Sequence, residues 1–307
     1  MENTIEKSEI LFLFESKYTI PNGDPFTGEQ RYDEETKKVL VSDVRIKRYV
    51  RDYFELLGKR IFITENSPIG KTDVKKMVKH LAVEQKQVDI RKVMQSMIDV
   101  RLFGGISTIE KKESKVKIDS NDKQLINYHL NITGPTQFAL LNPSLNKVDM
   151  RLHQNTSVML SKADNEQGSI ATTTVVPYAI NQIQGWINPF SAEKSGLIKD
   201  DINDLFKAMW NSINNINTRS KSNQSSVLLL QIVYKEPTDK LYGTDRLVNI
   251  ESEKEDEQIR SMEDYNFNFD KLKAITKSEK VKEIRFYTEI EEIKKQLIGD
   301  KFTEMTL

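Results

Sequence analysis

The sequence predicts an α+β fold in which an antiparallel sheet is covered by helices on one face. Three observations lead to this prediction. A short apolar run at 10–14 has the length of one buried strand, an amphipathic helix starts near position 43, and a second strand–helix–strand unit covers 149–234. Two such units, with other segments between them, are typical of an open antiparallel sheet.

The first unit is a strand, a polar loop and a helix. Turn-forming residues at 21–25 end the strand, and Ser42 or Asp43 can cap the helix that follows. Gly58 is a natural end for this helix. Its apolar residues form one stripe at helical spacing, which predicts the side that packs on the sheet. They are Ile46, Val50, Tyr53, Phe54 and Leu57.

The second unit begins with a hairpin. Strand patterns at 149–160 and 170–176 flank a polar stretch with a glycine at 161–169, which predicts the hairpin tip. A helix at 200–215 and a buried strand at 227–234 follow. The apolar positions of that helix are Ile202, Leu205, Phe206, Met209 and Ile213. This order predicts a ferredoxin-like sheet, the architecture that also builds RNA-recognition modules.

The first strand contains two aromatic residues, but the standard aromatic motif of RNA-recognition modules is absent. Phe12 and Phe14 stand in a continuous apolar run. We therefore expect them in the core and not as platforms on which bases stack.

Residues 59–127 interrupt the two units and predict an inserted region. Helical patterns occur at 73–80 and 88–97, and a short strand is expected at 60–64. The stretch 110–123 is charged and poor in apolar residues, so we expect an exposed loop or hairpin there. Long polar segments inside a domain usually serve a function or are disordered.

Composition limits the possible chemistry. The chain has 307 residues, no cysteine and a net charge of +0, so disulfides, thiolate metal sites and cysteine nucleophiles are excluded. Charges are segregated: 45–117 holds 18 Lys/Arg against 9 Asp/Glu, and 236–270 holds 4 against 11. No apolar run approaches membrane-spanning length, so a cytoplasmic protein is expected.

Candidate catalytic residues are few. His80, His129 and His153 are scattered without metal-ligand spacing, and no phosphate-binding loop or serine elbow occurs. We predict no cofactor and no metal. The carboxylates of Asp24, Asp33 and Asp43 could hold a divalent ion for phosphodiester cleavage, or they could be turn and cap residues.

The helix after Ser42 has cationic flanks. Lys47 and Arg51 lie one turn apart, and Arg45 and Arg48 form a neighbouring basic edge. Such a cluster predicts a groove for a polyanion, or it is merely the solvated face of the helix.

Four short segments follow one another along the chain. They are Asn22-Gly23-Asp24-Pro25 with Leu40-Val41-Ser42-Asp43-Val44 and Lys47-Arg48; Asp99-Val100-Arg101-Leu102-Phe103-Gly104-Gly105; Gly134-Pro135-Thr136-Gln137-Phe138; and Val175-Val176-Pro177-Tyr178, continued by Gly185, Trp210 and Arg219-Ser220. Together they resemble the CRISPR-associated backbone subunit of the RAMP superfamily. This is the repeated RNA-binding subunit of type I Cascade effector complexes, here closest to the I-B and I-C branches. In one departure, Thr172, Thr173 and Thr174 stand where that family usually has basic residues.

The resemblance implies a right-hand shape. A ferredoxin-like palm would comprise 1–58 and 128–250, an inserted helical finger or web region 59–127, and a β-hairpin thumb 154–174. Residues 251–307 are left as an acidic C-terminal extension. Members of this family line up head to tail along a guide RNA (crRNA), and each thumb kinks the guide at the neighbouring subunit.

The resemblance also implies residues that contact RNA. Cations would neutralise phosphates, and glycines would let the RNA approach the backbone. The alternatives are a solvated face and ordinary turns. The candidate set is Asn22, Ser42, Lys47, Arg48, Arg51, Arg101, Phe103, Gly104, Gly105, Gly134, Gln137, Arg219, Ser220 and Lys221. Met159 or Leu160 would be the wedge of the thumb, unless they are core residues.

The implied function is non-catalytic presentation of crRNA for pairing with target DNA. The implied partners are crRNA, target DNA, copies of the chain itself, the large subunit, the subunit that caps the crRNA 5′ end and the crRNA-processing endonuclease; no membrane is involved. Two rival functions are a metal-dependent RNA endonuclease backbone, as in related type III complexes, and a self-assembling protein without nucleic acid.

Overall fold

The computed structural model describes residues 5–70, 73–156 and 170–307. The strands are β1 (Ser8–Thr19), β2 (Tyr32–Asp33), β3 (Lys38–Ser42), β4 (Gly104–Thr108), β5 (Lys115–Ile118), β6 (Asn121–Gln124), β7 (His129–Thr133), β8 (Thr136–Phe138), β9 (Leu141–Pro143), β10 (Arg151–Thr156), β11 (Ile170–Ile187), β12 (Gln224–Tyr234), β13 (Asn249–Glu251), β14 (Asn266–Asn268), β15 (Val281–Tyr287) and β16 (Phe302–Glu304). The α-helices are α1 (Asp43–Leu56), α2 (Val74–Glu84), α3 (Ile90–Gln95), α4 (Ile98–Phe103), α5 (Pro189–Ser195), α6 (Lys199–Asn215), α7 (Asp270–Ala274) and α8 (Glu291–Lys294). The prediction of a mixed α+β fold with antiparallel sheets is confirmed.

The main sheet is built around β1. Its strand order is β10-β11-β1-β12-β15-β16, and β8 pairs with β11. Neighbours are antiparallel except β15 and β16, which are parallel. Phe12 is opposite Ile183 on one side and Leu229 on the other, so the first apolar run of the chain is the middle of the sheet.

Helices α1 and α6 cover the first face of the sheet. The phenylalanines of β1, both almost fully buried, contact a single core that includes the apolar stripes of the two helices. The stripe residues in this core are Ile46, Val50, Phe54, Ile202, Leu205, Phe206, Met209 and Ile213. Leu57 is the exception, because it lies one residue beyond the end of α1 and is exposed. The predicted core role of Phe12 and Phe14 is confirmed.

The C-terminal segment covers the second face. Leu11 and Leu13 of β1 share a core with Val248, Phe269 and Leu272, and β15 extends the sheet by pairing with β12. Residues 251–307 are therefore part of the layered unit and not an extension outside it. Charge counting concealed this because the acidic residues of the segment occupy exposed positions between buried apolar ones.

Most of the inserted region 59–127 packs around a separate core that also includes β7, whereas Ile61 and most apolar residues of α4 belong to the core under α1 and α6. Apolar residues of α2 and α3 pack against β4 and β7, and β5 and β6 form a separate hairpin. The helices predicted at 73–80 and 88–97 are present as α2 and α3. The strand predicted at 60–64 is wrong. That stretch instead donates two backbone hydrogen bonds to the buried carboxylate of Asp99.

The predicted hairpin has paired strands. Strand β10 pairs with the first part of β11 from Arg151↔Val175 to Thr156↔Ile170, and β11 then continues into the main sheet. Strand patterning on both sides of the polar stretch predicted this pairing. The predicted tip, with Met159 and Leu160, lies outside the described residues.

Candidate nucleic-acid interface

The loop between β1 and α1 is fixed to the start of the helix. The Asn22 side-chain oxygen accepts a hydrogen bond from the Ser42 backbone N–H at 2.7 Å, and the Ser42 hydroxyl accepts one from the Arg45 N–H at 3.4 Å. Ser42 is therefore the predicted N-cap. Because Asn22 is 5% exposed, its role is to hold the loop against the helix.

Lys47 and Gln137 are brought together by the fold. The Lys47 ammonium lies 3.1 Å from an Asp43 oxygen and 3.1 Å from the Gln137 side-chain oxygen. The Gln137 amide in turn donates to the Gly134 carbonyl at 3.0 Å. The charge of Lys47 is thus partly neutralised by the acid one turn earlier, and only a small part of this lysine is exposed.

Arg48 also has carboxylate partners within the chain. Its guanidinium lies 2.6 Å from Asp52 and 3.6 Å from Glu65. Burial raises the pKa of Asp52, while Arg48 acts in the opposite direction. Arg48 is therefore a member of a half-exposed ion-pair network and not an unpaired cation.

Arg51 is a structural residue. Its Nε lies 2.9 Å from Asp99, which is 1% exposed and also accepts backbone N–H bonds from Phe62 and Ile63 at 2.7 and 3.1 Å. The guanidinium is 5.3 Å from the centre of the Phe103 ring. Since a buried carboxylate without its counter-ion is costly, Arg51 is held inside the protein and does not present its charge to a ligand.

Arg101 is held in the same way. Its guanidinium forms two parallel hydrogen bonds to Asp201, at 2.8 and 2.7 Å, and a third to the Gln95 carbonyl at 2.9 Å. The bond to Asp201 raises the pKa of Arg101. The expectation that Arg51 and Arg101 offer charge to RNA stays a prediction, and the geometry weighs against it because both already pair with buried aspartates.

The glycine segments pack closely against each other. A Cβ on Gly134 would overlap the backbone of Phe103 and Gly104, and a Cβ on Gly104, where φ is +84°, would overlap Ile132 and Gly134. A Cβ on Gly105 would lie 2.8 Å from the end of the Met94 side chain. The close approach inferred from these glycines is therefore between two segments of the chain.

Phe103 completes this buried region. Its side chain is 8% exposed, and its ring centre lies 6.3 Å from that of Phe138. We call Arg51, Asp99, Phe103, Gly104 and Gly134 the closed junction.

A polar cleft opens on the other side of the start of α1. The loop after α6 is tied to the end of β1, because Thr19 donates from its hydroxyl and Ile20 from its N–H to the Ser220 carbonyl, at 2.7 and 2.8 Å. The cleft has a volume of about 460 Å³, and none of the described residues that line it carries a carboxylate. Its lining residues are Tyr18, Thr19, Ile20, Gly28, His153, Thr173, Val175, Arg219 and Ser220.

Cations gather beside this cleft without acidic partners. Among the described residues, Arg45, Arg219 and Lys221 form no ion pair. The Arg45 guanidinium lies over the Tyr49 ring at 3.9 Å. Burial lowers the pKa of Lys221, and the positive charge of Arg45 lowers it further. We call the lined cleft, together with Arg45 and Lys221, the cationic cleft.

Sequence reasoning named Arg45 as part of a basic edge but left it out of the candidate set. A signal was available in the spacing of acids along α1. Lys47 has an aspartate four residues before it and Arg48 has one four residues after it, whereas Arg45 has neither. On α1, a cation without an acid four residues before or after it is therefore a candidate for a side chain without an ion pair.

The three carboxylates considered for a metal site are partly buried and have local structural roles. Asp24 accepts the Phe26 N–H, which lowers its pKa, and it pairs with Arg31 at 3.0 Å. Asp33 accepts hydrogen bonds within the 33–36 turn, and Asp43 pairs with Lys47. In the described part of the chain, no three or more His, Asp or Glu residues gather as a metal site.

The geometry defines a layered α+β protein with a cationic cleft at the end of its central strand. The profile of the family CRISPR-associated protein Cas7 matches residues 6–270. The chain therefore belongs to the Cas7 family, as the four segments indicate.

Individual relatives agree. The CRISPR-associated protein Cas7 of Haloferax volcanii is 28% identical over 276 residues, covering 85% of this chain and 80% of that protein. The solved structure "CRISPR RNA-guided surveillance complex" matches 92% of this chain and 89% of its own at 13% identity and a TM-score of 0.50. A second solved structure, "CRISPR RNA-guided surveillance complex, pre-nicking", matches 98% of this chain and 96% of its own at 11% identity and a TM-score of 0.53. At these identities the likeness is one of fold.

Helices long and apolar enough to cross a bilayer do not occur in residues 5–70, 73–156 and 170–307.

Proposed function

We propose that this chain is a non-catalytic crRNA-binding backbone subunit of a type I, I-B-like Cascade surveillance complex. The observation that carries the proposal is the group of unpaired cations at the cationic cleft, in a member of the Cas7 family. Arg45, Arg219 and Lys221 provide positive charge that no carboxylate of the described chain neutralises. A polyanion is the ligand that such a group favours.

The fold supports a right-hand arrangement. The strand order β12-β1-β11-β8, with α1 and α6 on one face, is the order of a ferredoxin-like palm. The separate core of 59–127 supports a finger region, and the pairing of β10 with β11 supports a thumb. A wedge at Met159 or Leu160 remains a prediction.

The mechanism follows from the kind of contacts available. Cations that neutralise phosphates bind any guide sequence equally, so the base edges stay free to pair with target DNA. We assign phosphate contact to Arg45, Arg219 and Lys221, with Ser220 as a hydroxyl donor. Asn22 and Ser42 hold the loop after β1 against the start of α1, and Lys47 with Gln137 lies on the side of α1 that faces Phe103.

The remaining implied partners belong to the same proposal. Copies of the chain assemble head to tail along the crRNA. The contact between successive copies joins two different surfaces and does not close a ring, so the assembly is an open filament. The large subunit, the subunit at the crRNA 5′ end and the crRNA-processing endonuclease would bound that filament, in the cytoplasm. The segregated charges of the chain, basic early and acidic late, suit contacts between successive copies.

Binding of single-stranded RNA over a salt series tests the proposal. Affinity should fall log-linearly with salt, and Arg219→Ala combined with Lys221→Ala should weaken binding and reduce the slope by about two. Lys295→Ala is the matched control, since Lys295 is an exposed cation beside α8 on the opposite face of the sheet. No affinity at low salt would refute the proposal.

A separate cleavage experiment tests the endonuclease alternative. Complementary RNA and Mg²⁺ are added to the assembled complex, with Asp24→Ala and Asp43→Ala as variants. Intact RNA is expected, because both carboxylates already have partners in the chain. Metal-dependent cleavage at regular intervals that either variant abolishes would establish the endonuclease instead.

A further inference from the structure

Phe26 is the most exposed large apolar side chain of the described residues. It is 97% exposed, compared with 56% for Tyr18 and 94% for Tyr242. An aromatic ring in water forgoes the burial that usually stabilises such side chains. A phenylalanine held in this position is therefore suited to contact a partner.

The loop that carries Phe26 is ordered by its own hydrogen bonds. The Asp24 carboxylate accepts the Phe26 N–H at 2.9 Å. The backbone N–H of Asp24 donates to the Glu29 carbonyl at 2.7 Å, and the backbone carbonyl of Asp24 accepts the Gly28 N–H at 2.8 Å. Arg31 holds the same carboxylate at 3.0 Å. Because the backbone is already fixed, little conformational entropy is lost when the ring meets a ligand.

The same loop forms a wall of the cationic cleft. Gly28, two residues beyond Phe26, lines the cleft, and Tyr18 lines it from the end of β1. Tyr18 has φ of +50° and lies between the paired positions Lys17↔Tyr178 and Thr19↔Val176. Its neighbour across the ladder is Pro177, which has no N–H to donate, so the strand is irregular here and the Tyr18 ring is exposed.

The chemistry of the cleft selects the partner. Its lining includes Arg219 and His153 and no Asp or Glu, which favours an anionic ligand. The exposed Tyr18 ring in its lining, and the exposed Phe26 ring on the loop that supplies Gly28, favour a ligand with planar faces. A nucleotide in a single strand has both properties, since its phosphate meets the cations and its base stacks on an aromatic side chain.

We infer that Phe26 stacks on an unpaired base of the bound RNA, with Tyr18 as a second aromatic contact inside the cleft. This inference rests on the proposed function and adds base contact to a surface that otherwise holds phosphates. Stacking accepts any base, so it is compatible with guides of every sequence.

Binding of a short single-stranded RNA, long enough for one subunit, tests the inference. Phe26→Ala should lower affinity about tenfold without changing the salt slope, because no charge is removed. Phe26→Trp should keep the affinity, whereas Phe26→Leu, which is apolar but cannot stack in the same way, should not. Tyr242→Ala is the matched control, as that equally exposed aromatic does not line the cleft.

Fluorescence locates the contact. The RNA carries 2-aminopurine at one position at a time, and stacking on Phe26 should quench one position in the wild type and not in Phe26→Ala. Unchanged affinity and quenching in Phe26→Ala would overturn the inference while leaving the proposed function intact. An altered assembly state on long RNA, with unchanged affinity for the short RNA, would assign Phe26 to a protein contact. A wild-type protein that binds no RNA would refute both.

Discussion

The closed junction and the cationic cleft lie on two sides of the same helix, and they use cations in opposite ways. Toward the end of α1, Arg51 is neutralised by the buried Asp99. At its start, Arg45 has no acidic partner among the described residues and lies near another cation, Lys221. Both arginines belong to one basic stretch of sequence. The availability of a carboxylate therefore decides which cation stabilises the fold and which can bind a ligand.

The energetics of the two regions explain this division. A carboxylate as buried as Asp99 costs several kcal/mol in desolvation unless a cation and hydrogen bonds compensate for it. Arg51 supplies that compensation and cannot leave. At the cationic cleft, burial lowers the pKa of Lys221, and repulsion by the neighbouring charge of Arg45 lowers it further. Arrangements that cost stability in this way are common at functional sites.

The largest effect is expected at the ion pair of the closed junction. Arg51→Ala leaves Asp99 buried without its counter-ion and should lower the free energy of unfolding by about 4 kcal/mol, measured by urea denaturation. Arg48→Ala is the matched control on the same helix. Since its ion pair with Asp52 is half-exposed, it should cost less than about 1 kcal/mol. If Arg51→Ala kept its stability and bound RNA more weakly, Arg51 would be a ligand-binding cation and not a structural one.

A second test concerns the glycines of the closed junction. Gly134→Ala should cost about 3 kcal/mol of unfolding free energy, because the added methyl group overlaps backbone atoms of Phe103 and Gly104. Gly58→Ala, where φ is +68° and the surrounding space is open, should cost only about 1 kcal/mol. If Gly134→Ala were as stable as the wild type, the packing explanation would be wrong, and the prediction that this glycine lets RNA approach the backbone would stand.

Arg45 tests the cationic cleft. Arg45→Ala should lower RNA affinity about fivefold and reduce the salt slope by about one, with a change in stability within about 1 kcal/mol. Salt-dependent binding and urea denaturation of the same preparation measure both. A large loss of stability with an unchanged salt slope would place Arg45 among the structural cations, together with Arg51.

The smallest effect is a pH dependence. Burial and Arg45 lower the pKa of Lys221 below the ordinary 10.5, so its positive charge is lost earlier as pH rises. In the folded protein this loss relieves an unfavourable charge. The free energy of unfolding therefore rises with pH between the lowered pKa of the folded state and the ordinary value of the unfolded state. RNA affinity should fall a few-fold in the same window.

The affinity for oligoadenylate, whose bases keep their charge across this range, measures the effect. Lys221→Arg should remove the fall, since arginine stays charged. A fall that persists in Lys221→Arg would assign the titration to another group.

Much of the framework was predictable from local patterns. The apolar run of β1, the Ser42 cap and the stripe of α1 each specify a local structure by residue type and spacing, and all three are present. The hairpin strands at 151–156 and 170–175 follow from patterning in the same way. The place of the C-terminal segment did not follow, because its apolar residues become a core only when the second face of the sheet is there to cover.

The amino-acid sequence alone determined the α+β class, the order of β1, α1, β10, β11, α6 and β12, and the Cas7 family, since propensity, periodicity and motif order are properties of neighbouring residues. Only the tertiary structure decided which cations are available to bind a ligand. Asp99 is 48 residues from Arg51, and Asp201 is 100 residues from Arg101. Neutralisation of a charge depends on distance in space, and the folded chain sets that distance.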